Sequence, residues 1–161
     1  YEVRPRDWSS DVCSSDLGRP LAARRAGAQA VTDVTGFGLA GHLLEMLRAS
    51  GKSAVLDLER IPLLPGVAVL LGEGIESTLA PANRDAELHM EIAESEWPTP
   101  EFRALFDPQT CGGLLFGLAP RAFEQLLAEW PPEAGPRPVV IGRVEEAGEG
   151  ESIKLRRGGG D

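Results

Sequence analysis

Thr32-Asp33-Val34-Thr35-Gly36-Phe37-Gly38-Leu39-Ala40-Gly41-His42 joins two kinds of hydrophobic period in eleven residues. Upstream, Ala30 to Val34 is short and apolar enough for a buried strand. Thr35-Gly36 breaks it. Downstream, Leu39, Leu43, Met46 and Leu47 recur on one helical face. Thr35 is the expected N-cap of that helix and Gly51 its expected stop. The stretch therefore predicts a strand that ends on a carboxylate, a glycine turn, and a helix. Such a junction holds Asp33 rigidly and leaves the backbone open to a ligand. Asp33 can ligate a cation carrying phosphates, or it can cap its own turn by accepting from nearby N–H groups. It matches neither the phosphate loop with lysine nor the dinucleotide fingerprint. His42, one turn beyond Gly38, is expected to be partly buried and bonded to a backbone carbonyl, with no catalytic role.

Working outward, Leu21 to Ala28 has helix-forming composition, and Ser53 to Leu58 alternates as a strand. Pro65 suits the first turn of a helix running through Leu71. Ile75 to Asp85 is expected to be loop, and His89 to Ala93 a strand. Thr99 to Leu105 is predicted helical with Pro100 in its first turn. Asp107 to Gly113 is predicted as a loop, Leu114 to Leu118 as a buried strand, and Ala119 to Trp130 as an amphipathic helix. Val139 to Val144 and Ser152 to Leu155 flank a Gly- and Glu-rich turn and are expected to form a β-hairpin. Strands and helices mix without a regular βαβ repeat, which predicts an α+β domain, a mixed or antiparallel sheet flanked by helices.

The first twenty residues differ from the rest. Ser9-Ser10-Asp11-Val12 and Ser14-Ser15-Asp16-Leu17 form a near-repeat around Cys13, with no helical or strand period. Residues 1–20 are expected to be a non-native or disordered leader, 21–157 the folded domain, and 158–161 a disordered tail.

The net charge of −9 argues against phosphate-backbone binding, so no nucleic-acid partner is expected. No apolar run reaches the ~18 residues that span a bilayer, and no signal peptide is evident, so the expected location is the cytoplasm. Two cysteines, Cys13 and Cys111, are too few for a disulfide framework and form no Cys-x-x-Cys metal pair. Cys111 is most simply a small buried hydrophobe.

Two more segments carry polar groups in suggestive places. In Asp107-Pro108-Gln109-Thr110-Cys111-Gly112-Gly113, successive N–H groups of the Gly112-Gly113 turn can form an anion-binding concavity, or the segment is simply a good turn. In Ser77-Thr78-Leu79-Ala80-Pro81-Ala82-Asn83-Arg84, hydroxyls, amide and guanidinium can reach a phosphate, or the segment is an exposed connection. Glu145, Glu146, Glu149 and Glu151 are expected at a solvated tip without a metal.

Taken together these motifs resemble selenophosphate synthetase (selenide, water dikinase). The likeness is carried by Thr32 to Leu39, Ile61-Pro62-Leu63-Leu64-Pro65-Gly66-Val67, and Asp107 to Leu115, in order and approximate spacing, and covers about Gly27 to Arg156. It implies membership of a superfamily with aminoimidazole ribonucleotide synthetase and thiamine-monophosphate kinase, whose members have two α+β domains, this chain being the C-terminal one. It also implies formation of selenophosphate from selenide and ATP with release of AMP and phosphate, a requirement for Mg2+, and a homodimer formed mainly through N-terminal domains. Under the resemblance Asp33 is a metal ligand, and Gly112 and Gly113 lie near the nucleotide site. The family's loop usually has Ser where Cys111 stands. Its N-terminal segment, with a reactive Cys or selenocysteine, a Lys and further aspartates, is not in this sequence, and Cys13 does not inherit that role. The chain alone is therefore expected to be inactive and to need its own N-terminal domain as partner. Two other readings stay open: a related ATP-dependent synthetase or kinase with another acceptor, and a non-catalytic binding module.

Overall fold

The computed structural model describes residues 18–92, 99–110, 112–130, 136–148, 150 and 152–157. The sequence expectations for Cys13, for Cys111 and for the tail 158–161 fall outside the described residues. The elements in chain order are α1 (Gly18–Arg25), β1 (Val31–Asp33), α2 (Gly38–Ser50), β2 (Lys52–Asp57), a 3-10 turn (Leu58–Arg60), α3 (Val67–Gly72), α4 (Ala80–Asn83), a second 3-10 stretch (Arg84–His89), β3 (Met90–Glu91), α5 (Pro100–Ala104), β4 (Leu114–Phe116), α6 (Pro120–Ala128), β5 (Gly142–Glu146) and β6 (Ile153–Arg156). This is an α+β arrangement. It divides into two compact units: the described part of Tyr1–Asp33 with Gly113–Pro138, and Val34–Gly112 with Val139 onward.

The first unit is a two-stranded antiparallel ribbon with two helices. β1 pairs β4 so that Val31 faces Phe116, Thr32 faces Leu115 and Asp33 faces Leu114. Leu126 of α6 and Trp130 form its buried centre, with Ala22, Ala26, Phe116 and Leu118 packed against them. Both strands were expected to be buried, yet neither contains a buried residue and Asp33 is exposed. A ribbon of two strands has too few neighbours to enclose itself.

The second unit is built on a four-stranded sheet of order β3-β6-β2-β5. β2 is its centre: it runs antiparallel to β5 and parallel to β6. Central position on both edges explains why Ser53 to Asp57 are all buried. β5 and β6 are therefore not the hairpin the sequence suggested. Both strands exist, but each pairs with β2 rather than with the other. A local turn between two extended runs is a weak guide when a strand from far upstream can intervene.

α2 covers this sheet with Leu39, Ala40, Leu43, Leu44 and Leu47 buried. It ends as expected on Gly51, in the left-handed conformation, with its N–H returned to the Arg48 carbonyl. Its start differs from expectation. The cap position is Phe37 and carries no side-chain hydrogen bond. The segment 75–85, expected to be loop, contains α4 and the beginning of the second 3-10 stretch. α5 is short but well made, with the Thr99 hydroxyl accepting from the Phe102 N–H. Phe102 and Phe106 are fully buried and meet edge to face, ring centroids 5.1 Å apart.

Candidate functional site

Asp33 is the last residue of β1 and its side chain is exposed. The register sets it opposite Leu114, so Asp33 and Gly113 lie at the same end of the β1–β4 ribbon. The alternative role, in which the carboxylate caps the following turn, is not the one adopted: among the described residues no donor reaches it. The neighbouring Thr32 hydroxyl bonds the Asp33 main-chain oxygen, not the side chain. Gly113 beside it is bare on its open side, with no atom within 4 Å of where a Cβ would stand.

The turn after Asp33 is held entirely within the second unit. The Thr35 carbonyl accepts from the Gln109 N–H at 3.0 Å, and the Ala40 N–H donates to the Leu105 carbonyl at 3.0 Å. Gly38 has φ +68, and a Cβ there would stand 2.6 Å from the Leu105 carbonyl oxygen. Gly112 has no room either, because a Cβ would run into the Val34 carbonyl and the Gln109 side-chain oxygen. The glycines of the two motifs thus let two backbone segments touch. Thr35, not a helix cap, instead places its hydroxyl 3.0 Å from His42 Nε2. His42 is buried as expected, but its partner is this hydroxyl rather than a carbonyl. Its Nδ1 lies 3.3 Å from a Glu45 carboxylate oxygen without the alignment of a hydrogen bond.

The third motif converges on the same place. Asn83 Nδ2 donates to the Gly36 carbonyl at 2.8 Å and to the Phe106 carbonyl at 2.9 Å. Arg84 donates to Glu87 at 3.0 Å and to Glu76 at 3.1 Å, and its guanidinium carbon stands 5.2 Å from the Phe106 ring centroid. Arg103 also pairs with Glu76. Asn83 and Arg84, proposed from sequence as phosphate contacts, are thus engaged inside the protein. Burial by itself would push the Glu76 carboxyl up, but the hydrogen bonds and charges of Arg103 and Arg84 together outweigh it and hold the group below the usual carboxylate range. Asp107 moves the other way, pushed up by burial and by the charge of Glu76. Sequence reasoning missed Glu76 and Arg103, since nothing local marks two residues that meet from 27 positions apart.

As chemistry, the arrangement offers one exposed carboxylate beside a bare glycine, on a ribbon end followed by a clamped turn. Mg2+ takes oxygen ligands, keeps several waters, and is commonly held by one or two carboxylates together with substrate phosphates. Asp33 fits one such ligand. Among the described residues no group of three or more His, Cys, Asp and Glu is placed to hold a metal. No described helix is long and apolar enough to cross a membrane.

Residues 16–154 match the family described as AIR synthase related protein, C-terminal domain. The chain belongs to this family. Among curated relatives, the selenide, water dikinase of Bordetella bronchiseptica is 41% identical over 125 residues, covering 76% of this chain and 34% of the relative. That of Burkholderia pseudomallei is 37% identical over 133 residues, covering 81% and 38%. That of Pseudomonas straminea is 40% identical over 136 residues, covering 82% and 38%. The family member described here thus spans little more than a third of the length of the relatives it matches. All three carry the name of the family that the sequence motifs resembled.

Proposed function

We propose that this chain is the C-terminal part of a selenide, water dikinase, an ATP-dependent phosphotransferase that forms selenophosphate from selenide, ATP and water and releases AMP and phosphate. The single observation that carries the site assignment is the exposed Asp33 carboxylate, unengaged by any described donor, at the ribbon end beside Gly113. In this reading Asp33 holds one Mg2+ that accompanies the ATP phosphates, and Gly112 and Gly113 shape the backbone next to it. The metal, when bound, supplies neutralisation of the charge that develops on the transferred phosphoryl oxygens. The part played by this chain is to fix in advance, through the β1–β4 pairing, the backbone that bears this carboxylate, so that only its own side chain has to be ordered when the nucleotide arrives.

The remaining chemistry falls to the portion of the relatives' length that this chain does not span. We accordingly expect the described domain to need its own N-terminal domain, to act within a homodimer in the cytoplasm, and to be inactive by itself. The test is Asp33→Asn in the intact protein. Turnover should fall by at least about 10–100-fold, with a higher Mg2+ requirement and an unchanged circular dichroism spectrum. Unaltered turnover at limiting Mg2+ would show that Asp33 is not a ligand. The family description also admits a relative of AIR synthase acting on another acceptor. Measuring ATP consumption with and without selenide separates the two, since a selenide-dependent enzyme is silent without it.

A further inference from the structure

We propose that Asn83 is a positioning residue, whose side-chain amide ties the turn after Asp33 to the loop that leads into Gly112. The inference rests on the proposed role of Asp33, and it reaches a residue that makes no claim on the ligand itself.

The chemistry of the contact is specific. A carboxamide has two N–H hydrogens on one nitrogen, and here both are used on main-chain carbonyls from distant parts of the chain: Gly36, 47 positions away, at 2.8 Å, and Phe106, 23 positions away, at 2.9 Å. Both partners are acceptors, so only the amide nitrogen can serve them, which fixes the orientation of the group. Aspartate, of the same size, has no donor to offer when ionised and would set negative oxygens against two carbonyls.

Asn83 is itself held firmly. It ends α4, and the next residue, Arg84, is fixed by Glu76, by Glu87 and by the Phe106 ring. Arg103 on α5 shares Glu76. The clamp is thus anchored to α5 and to the segment that follows it. The two backbone segments it joins also touch directly, through Gln109 N–H to the Thr35 carbonyl and Ala40 N–H to the Leu105 carbonyl. Gly36 lies between those two contacts. The turn closes on itself through the Gly38 N–H and the Thr35 carbonyl at 3.1 Å, but the Gly36 carbonyl has no main-chain donor among the described residues, so Asn83 is what ties the middle of the turn to the Phe106 segment. Gly36 follows Asp33 by three residues, and a misplacement of about 1 Å in a ligand-bearing segment is enough to cost on the order of 100-fold in rate.

The experiment uses the intact protein with Asn83→Ala. Two readouts are taken. Exchange of the bonded amide hydrogens of Gly38, Phe106, Asp107 and Gln109 should accelerate together, by about tenfold, while β2 stays protected. The Mg2+ concentration for half-maximal turnover should rise about tenfold. Faster exchange with an unchanged Mg2+ dependence would reduce Asn83 to a structural residue and overturn the inference, as would no change in either. Should Asn83→Ala fail to fold, Asn83→Ser, which keeps one donor hydrogen, carries the same two readouts with smaller expected shifts. Asp33→Asn assayed alongside separates the claims. A crippled Asp33→Asn beside an unaltered Asn83→Ala sinks the positioning role alone, whereas an unaltered Asp33→Asn sinks the metal assignment and this inference with it.

Discussion

Gly38 and Gly51 bracket α2, both with φ near +60 (+68 and +61), but only Gly38 must also be bare. At Gly51 a Cβ meets nothing within 4 Å, so Gly51→Ala should cost about 1 kcal/mol, the penalty of the left-handed conformation alone. At Gly38 the same methyl would stand 2.6 Å from the Leu105 oxygen, and Gly38→Ala should cost about 3 kcal/mol or more. Urea denaturation of the two variants checks this, and equal losses would contradict the close approach. Glu76 gives a second prediction, set by pH. Its folded-state pKa is depressed, so its contribution is present above the ordinary value of 4.5 and is lost as pH falls through the lower folded value. Glu76→Gln should therefore destabilise by about 2 kcal/mol near neutrality, and the deficit should shrink in acid. Asp107 has the opposite sign: its pKa is raised, so folding favours the protonated form and Asp107→Asn should gain stability near neutrality but not in acid. Melting temperatures across pH 3–7 report both slopes. At this scale the place of Asp33 at the end of a strand was legible, because a carboxylate at the end of an apolar run before two glycines is a local pattern. The Glu76–Arg103 pair was not, and Asn83 was singled out for a phosphate rather than for the Gly36 and Phe106 carbonyls, because these partners lie in other segments.

At the scale of elements, the outcome depended on how local each determinant was. α6 and the C-terminal end of α2 came from periodicity and a single glycine; α2 stops at Gly51 as expected, and α6 is present but ends at Ala128, two residues short of the expected Trp130. α5 has Pro100 in its first turn, as expected, but Thr99, read as helical, is its cap. Thr35 failed as a cap because a better use for its hydroxyl stands one turn into the helix, at His42. The strand pair β5 and β6 was read correctly as two strands and wrongly as a hairpin, since the pairing is decided by a strand about ninety residues earlier. The register makes a test. Ile153 is fully buried and faces Ala54 on one side and Met90 on the other. Ile153→Ala should cost about 3 kcal/mol in denaturant unfolding. A hairpin confined to the two C-terminal strands would lose far less, so a change below about 1 kcal/mol would dispute the central position of β2.

For the whole molecule, the α+β class and the family were both within reach of the sequence. Class follows from the mixture of periods, and the family from three motifs in order, which the matched residues 16–154 bear out. The two-unit organisation was not legible. The first unit is discontinuous, its ribbon made from Val31–Asp33 and Leu114–Phe116, and no composition shift marks the places where the chain leaves and returns. A net charge of −9 constrains partners but carries no information about such a division.

The central place of β2 has a consequence for synthesis. Residues 52–57 leave the ribosome long before 142–146 and 153–156, the two segments that pair with them. At about 5–20 residues per second the nascent chain carries Ala54, Val55 and Leu56, all apolar, for several seconds without either neighbour. Over that interval the strand has both edges open, and an apolar run with unpaired edges is a template on which another chain can pair.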